Sequence, residues 1–460
     1  MKTYVIYNIV AEICSHIIKN CEEDFFVKYS CVSKEERTRS RDIIKENIPS
    51  LFKGEEIVKI TQENLDNELI RHIEALISKL IFLKDYYCLI SLAQTLDEAL
   101  SLLLLSEIHG FEQESFTTVL NTNRETTGIG LLPRCSCVWE RKRRLSHCYN
   151  RMDNFMYHFL IMENTILGEL VDKHIFLKPD IFPNFREKKA LKIAATPLSI
   201  KRDHKFIYLS DEKVQYVSLE YFEKEYEHTN KLILKKILIA GENECDIAVF
   251  PEIMANPETE SYIVDKIKKL SSSEQKKLPS FIILPSLFEG KSNTVTVINN
   301  KGNIIAKQKK QNPFREYYKG DNYLEEIIPS MVVNIFHYEG IGRIAVLICK
   351  DFLTTKYLEQ LMRCFKLTLI IVPSFSTGSY DFVQSFDLCA HDDCNVVWIN
   401  TCAAVEDGKE NNFKHIGYVR KRISRYDDES QKLCEMASCS GFTKGLCNED
   451  CIFFETMGMV

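Results

Sequence analysis

The sequence has no excess of positive charge, no long uncharged hydrophobic run and no repeat. Sixty-five acidic side chains against 59 basic ones give a formal charge of -6. No global positive field exists to hold nucleic acid or an acidic membrane, so neither is an expected partner. The richest apolar stretch, Leu76 to Ser106, is broken by Lys79, Lys84, Asp85, Asp97 and Glu98. A membrane span needs about 20 nearly uncharged residues, and a buried helix or pair of helices fits this stretch better. The opening MKTYVIYNIVAEIC interrupts its apolar residues with Asn8 and Glu12 and offers no small-residue cleavage site, which makes a poor signal peptide. No solenoid period and no low-complexity tract occur, and the polar segment Asn121 to Gly130 has no phosphate-loop lysine pattern, so no nucleotide or other cofactor is expected.

What is present is an ordinary globular balance, 45% hydrophobic and 27% charged over 460 residues. At roughly 100–200 residues per domain that allows two or three domains. Seventeen cysteines are scattered from Cys14 to Cys451. Dense disulfide frameworks belong to short secreted domains, so the thiols are read as reduced and the compartment as cytoplasmic. Cys434, Cys439, Cys447 and Cys451 near the end lack the paired C-x2-C spacing of common zinc sites, and Cys135 and Cys137 stand too close together to form one alone. No metal is expected, with zinc at the four late cysteines the alternative. The basic run Arg141 to Arg144 follows Trp139, which offers a base-stacking surface; a solvated charged face is the plainer reading.

Hydrophobic periodicity divides the chain. From Met1 to about Leu177 apolar residues recur three and four apart, as in Leu69, Ile70, Ile73, Leu76, Ile77, Leu80 and Ile81. That pattern predicts an all-helical domain over 1–180, with a second helical stretch from Leu145 to Asp172, a loop over Asn121–Pro133 and a linker over Phe176–Lys189. After Lys189 short Val/Ile/Leu runs alternate with polar helical stretches: LKIAA, DIAVF, SFIIL, TVTVI, MVVNIF, RIAVLIC, LTLIIVP and NVVWIN. Such runs indicate strands buried on both faces, an α/β domain over 190–430. Residues 431–460 form a cysteine-containing terminal segment expected to dock through Phe453 and Phe454.

Three of these strand ends deliver a reactive residue each: Glu252 in DIAVFPEI, Lys310 in GNIIAKQKKQNPF and Cys349 in GRIAVLICKDF. Chemistry in α/β sheets gathers at strand carboxyl ends. A thiol nucleophile needs a base and a cation to stabilise thiolate and oxyanion, and these three residue types supply those roles. Each alone has a plainer reading: a core thiol, a helix-start acid, a solvated lysine.

Motifs and order lift the set above its parts. AVFPEI, then GNIIAKQKKQNPF, then GRIAVLICKDF, followed by LTLIIVPSFS and LCAHDDCNVVWINT, resemble the nitrilase superfamily, the carbon–nitrogen hydrolases, over about 190–430. The resemblance implies a four-layer α-β-β-α sandwich, preceded here by the helical domain, and a homodimer or larger. It also implies a small-molecule, amide-like substrate. Glu252 would be the general base, Cys349 the nucleophile that forms a thioester, and Lys310, with Lys309 as the alternative, the oxyanion partner together with the backbone N–H of Lys350. Glu316 is the nearest candidate for the family's second glutamate. Lys350 replaces a common aromatic residue and would lower the Cys349 pKa or bind an acidic group. Cys389 to Asp393 replace the family's helix near the substrate pocket, so an unusual pocket is expected. Two functions follow: a cysteine-dependent hydrolase of non-peptide C–N bonds, or a nitrilase-like scaffold or sensor acting through its helical domain, which offers a surface for a protein partner. In the first case a thiol probe is expected to label Cys349 ahead of the other sixteen cysteines.

Overall fold

The computed structural model describes residues 2–140, 151–182, 188–211, 213–222, 226–404, 415–422, 431–437, 447 and 449–458. At its centre lie two seven-stranded sheets. In the first, Ala190–Ala195, Ile247–Val249 and Phe281–Ile283 pair in parallel. Ser292–Ile298 continues it antiparallel and carries Ile304–Lys309, and Phe453–Gly458 closes the other edge against Ala190–Ala195. The terminal segment thus docks by adding a strand. In the second sheet Gly342–Val346, Leu369–Pro373 and Asn395–Ile399 are parallel. Val332–Tyr338 flanks them on one side, and His415–Arg422 and Gln431–Ala437 on the other.

The alternation of side chains along each strand builds the layers. Ile193, Ile247, Val249, Ile283, Val295 and Val297 face the second sheet in one apolar core with Ile335, Phe336 and Ala345. Phe281 and Phe336 meet edge to face across it at 5.2 Å. The opposite residues, Ala194, Ala248, Ile282 and Ile298, pack on Ile233 and Ile237 of the helix Tyr226–Glu242 and on Ile263 and Ile267 of Thr259–Lys268. The second sheet is covered in turn by Leu358, Leu361 and Met362 of Thr355–Phe365 and by Phe382 and Phe386 of Tyr380–His391. The result is the expected α-β-β-α sandwich.

The segment before it holds the expected helices, among them Lys2–Asn20, Asn67–Leu83, Tyr86–Ala99 and Ser101–Phe111. Asp66 and Asp85 cap two of them through the backbone N–H groups of Leu69 and Cys88. Among the described residues no single helix is long and apolar enough to cross a membrane. The all-helical expectation is corrected at three places. Short strands pair at Phe52–Lys53 and Glu56–Ile57, and Ile129–Pro133 pairs with Phe159–Glu163 where a loop and part of a helix were expected. Val171–Phe176 joins the second sheet beside Val332–Tyr338. FLIME is a continuous apolar run too short for its period to distinguish helix from strand. The basic run Arg141–Arg144 and Cys439 lie outside the described residues. Trp139 is buried, its indole N–H donating to the Thr368 carbonyl at 3.1 Å, so it presents no stacking surface.

Candidate active site

Glu252, Lys310 and Cys349 are brought past the carboxyl ends of Ile247–Val249, Ile304–Lys309 and Gly342–Val346 and buried, with 2%, 3% and 4% of their surfaces exposed. Cys349 follows the strand Gly342–Val346 and precedes the short helix Lys350–Leu353 at φ 45°, ψ -99°. A left-handed φ on a non-glycine residue costs of order 1–3 kcal/mol and persists only where the surroundings fix it. They do: the Cys349 N–H donates to the Pro373 carbonyl at 2.9 Å, and its thiol donates to the Phe375 carbonyl at 3.9 Å. The Phe375 N–H donates to Glu252 Oε2 at 2.8 Å. Phe375 therefore holds the Glu252 carboxylate and the Cys349 thiol from one residue.

Lys310 Nζ contacts Glu252 Oε1 at 2.8 Å and Glu325 Oε2 at 2.6 Å. Lys309, the last residue of the strand Ile304–Lys309, is exposed and lies outside this cluster. Asn293 Nδ2 donates to both carboxylates, at 2.9 Å to Glu252 and 3.1 Å to Glu325. Two acids are thus clamped by one ammonium and one amide. Burial alone would lower the Lys310 pKa, but Glu252, Glu325 and Cys349 outweigh it and hold the ammonium well above its ordinary range. Burial pushes the Glu252 carboxyl up, with Lys310 opposing and Glu325 adding. The Cys349 thiol is also pushed up, first by burial and then by Glu252. The expected lowering by Lys350 is not found: burial and the Glu252 carboxylate act the other way.

Glu325, not Glu316, is the second carboxylate against Lys310. Both lie on the hairpin of Arg315–Tyr318 and Asp321–Glu325, on the same face, but Glu316, opposite Tyr323, is two residues further along it and accepts instead from the Tyr208 hydroxyl at 3.2 Å. This hairpin joins His204–Ser210 and Gln215–Tyr221 in a separate four-stranded sheet. Phe206 of that sheet packs edge to face on Phe375 at 5.5 Å, so the small sheet roofs the site.

Asp351, two residues past the thiol, accepts from the backbone N–H groups of Gln311 and Asn312 at 3.0 and 2.7 Å. It fastens the cysteine elbow to the chain just after Lys310. Burial pushes its pKa up to about 7 against those hydrogen bonds. Neither Asn293, Asp351 nor Phe375 was singled out from sequence. Asp351 stands in GRIAVLICKDF, Phe375 in LTLIIVPSFS and Asn293 near the start of a buried strand, but nothing local marks the part each plays.

In the 389–393 segment Asp393 pairs with the buried Arg422, two residues before the strand Asn395–Ile399. Among the described residues no group of His, Cys, Asp or Glu is arranged to hold a metal ion.

No family model matches the chain, and no curated protein matches it. Among solved structures it is similar to an amidase from Nesterenkonia sp. at 13% identity, over 58% of this chain and 89% of that one, with a TM-score of 0.38. A cysteine-to-alanine mutant of a Nesterenkonia sp. amidase in complex with butyramide aligns at 12% identity over 55% and 93%, with a TM-score of 0.35. The C. elegans NitFhit protein aligns at 15% identity over 59% and 61%, with a TM-score of 0.35.

Proposed function

We propose that the chain is a cysteine-dependent hydrolase of a non-peptide carbon–nitrogen bond in a small amide-like substrate. The observation that carries this reading is the water-excluded meeting of a thiol on a strained elbow, a carboxylate and a doubly paired ammonium. As the sulfur attacks the carbonyl carbon, Glu252 takes its proton. A raised carboxyl pKa suits that exchange, because the same group must return the proton to the departing nitrogen. Lys310 stays charged throughout and, with the backbone N–H of Lys350, faces the oxyanion. Water then attacks the thioester, Glu252 again accepting the proton, and the acid leaves. Glu325 and Asn293 act on substrate only through Lys310 and Glu252, as positioning residues.

The test is release of ammonia or amine from a panel of small aliphatic, aromatic and carbamoyl amides by the purified chain. The reading expects turnover of at least one class, lost in Cys349→Ala and in Glu252→Gln. Turnover that persists in Cys349→Ala would refute it. A folded chain inert toward the whole panel, with Cys349→Ala retaining the wild-type cellular function, would favour the scaffold reading.

A further inference from the structure

We propose that the cleft between the helical segment and the sandwich is a second ligand site, built for a small organic ammonium ion such as a primary aliphatic amine. The cleft has a volume of about 1110 Å³, ample for a small molecule. Ile18 and Phe26 line it from the helical segment, Glu163 from the end of Phe159–Glu163, Gln311 and Asn312 from the chain directly after Lys310, and Tyr357 and Gln360 from Thr355–Phe365.

The polar groups left for a ligand are acceptors. Three side-chain amides line the cleft, and each commits its nitrogen to the protein. Gln311 Nε2 donates to the Val332 carbonyl at 2.9 Å, Asn312 Nδ2 to Asp351 Oδ1 at 2.9 Å and Gln360 Nε2 to the Leu167 carbonyl at 2.7 Å. Only an NH2 group can donate to a carbonyl or a carboxylate, so it is the amide oxygens that remain for a ligand. Tyr357 has 7% of its surface exposed, and its hydroxyl has no hydrogen-bond partner. A buried polar group in that state is one that a bound molecule completes.

Charge points the same way. Glu22, Glu23, Glu163, Glu169 and Glu359 line the cleft against Arg151, Lys356 and Arg363. Glu22 pairs with Lys28, Glu359 with Arg363 and Arg151 with Asp153. Glu23, Glu163 and Glu169 are left facing Lys356 alone. Glu163 is the least exposed of the three. Burial pushes its carboxyl up, with Arg151 and Arg363 opposing and Asp153 adding, and an ammonium beside it would favour the ionised form. A primary ammonium brings three N–H donors and a positive charge, while its stem can lie on Ile18, Phe26 and Met331. A carboxylate or phosphate would meet mostly oxygens.

The cleft also touches what holds the candidate active site. Gln311 and Asn312 carry the backbone N–H groups that Asp351 accepts, so a ligand on their side-chain oxygens bears on the strap between Lys310 and the Cys349 elbow. Occupancy of the cleft should be felt at Cys349 through that strap. The ligand site stands without the hydrolase reading.

The experiment titrates the full-length chain with butylamine at neutral pH and low salt, by isothermal calorimetry, with tetramethylammonium and butyrate for comparison. Saturable binding of butylamine is expected, weakened about tenfold or more in Glu163→Gln and in Tyr357→Phe, the loss that goes with one hydrogen bond to a charged group. Tyr357→Phe breaks no hydrogen bond within the protein and so keeps the fold. Glu74→Gln, which removes an exposed charge outside the cleft, should bind as the wild type does. Tetramethylammonium has the charge but no N–H and should bind more weakly by a similar factor. No saturable binding at millimolar butylamine, wild-type affinity in both cleft variants, or preferential binding of butyrate would each overturn the site. Saturating butylamine should also change iodoacetamide labelling of Cys349 by about fivefold or more; an unchanged rate would overturn the coupling. Absence of amide turnover with butylamine still bound would count against the hydrolase reading alone.

Discussion

Lys310 neutralises two buried carboxylates, so its removal should cost far more than removal of the Cys349 thiol. Cys349→Ala deletes one sulfur from a packed site and should cost about 1–2 kcal/mol. Lys310→Ala leaves Glu252 and Glu325 buried against each other, a loss of about 3–5 kcal/mol. Urea denaturation of the two variants checks this order, and equal midpoints would contradict it. Glu325→Gln should keep the fold but shift Lys310, lowering kcat/KM about a hundredfold, the order expected when a reacting group moves by about 1 Å. Glu316→Gln should leave turnover as it was, because its carboxylate meets Tyr208 instead. Thiol reactivity separates by pH as well. Labelling of Cys447 should rise through about pH 6 and level off, whereas Cys349, pushed up by burial and Glu252, should still be gaining at the alkaline limit of the fold. A thiol probe applied to the free protein should therefore reach Cys447 before Cys349, which makes bare labelling speed a poor sign of the nucleophile.

At the scale of elements, the buried strands were legible because a strand covered on both faces leaves an unbroken Val/Ile/Leu run, as in DIAVF and RIAVLIC. The reactive residues at their ends were legible for the same reason, each closing such a run. The roof was not. HKFIYLS, QYVSLEY, REYY and DNYLE are short, half-polar and aromatic; they form two local hairpins that become one sheet only by pairing across about a hundred residues of sequence, Leu324 against Tyr216. The choice between Glu316 and Glu325 turned on the register of one of those hairpins, which no local pattern sets. The ribbon of Ile129–Pro133 and Phe159–Glu163 escaped for another reason. Ile129, Leu131, Phe159 and Ile161 enter the helical core while Leu132, Leu160 and Met162 enter the sandwich, so both faces are apolar and the alternation disappears. Gly342 makes a sharper test of the elbow's strand. It sits at φ +91°, and a Cβ there would stand 2.6 Å from Thr368 Oγ1, the atom that accepts from the Arg343 N–H and donates to the Ile341 carbonyl. Gly342→Ala should lower stability by about 1–3 kcal/mol, read as a shift in the thermal midpoint. An unchanged midpoint would show that the turn relaxes freely.

Across the whole molecule the helical segment is not a detachable appendage. Asp97, in the middle of its core, accepts from the backbone N–H groups of Tyr157, His158 and Phe159 and so pins the ribbon to the helices. Arg343, fully buried at the start of the central strand, is satisfied by the Cys135 carbonyl at 2.7 Å and by Glu140 at 3.0 Å, both from that segment. Deleting 1–177 would expose one wall of the sandwich core, strip the edge strand Val171–Phe176 and leave a buried guanidinium without its anion. The truncated chain should be insoluble or lack a cooperative unfolding transition; a soluble fragment melting like the full chain would contradict this.

The most direct test of the central claim is the intact mass of a Cys447→Ser chain after brief exposure to an amide panel and an acid quench. Replacing the competing thiolate leaves Cys349 as the site to watch. The account expects a mass increase equal to one acyl group, mapped to Cys349, accumulating for at least one amide and absent when Cys349→Ala is added. A folded protein that never gains mass with any amide, or gains it at another cysteine, would contradict it.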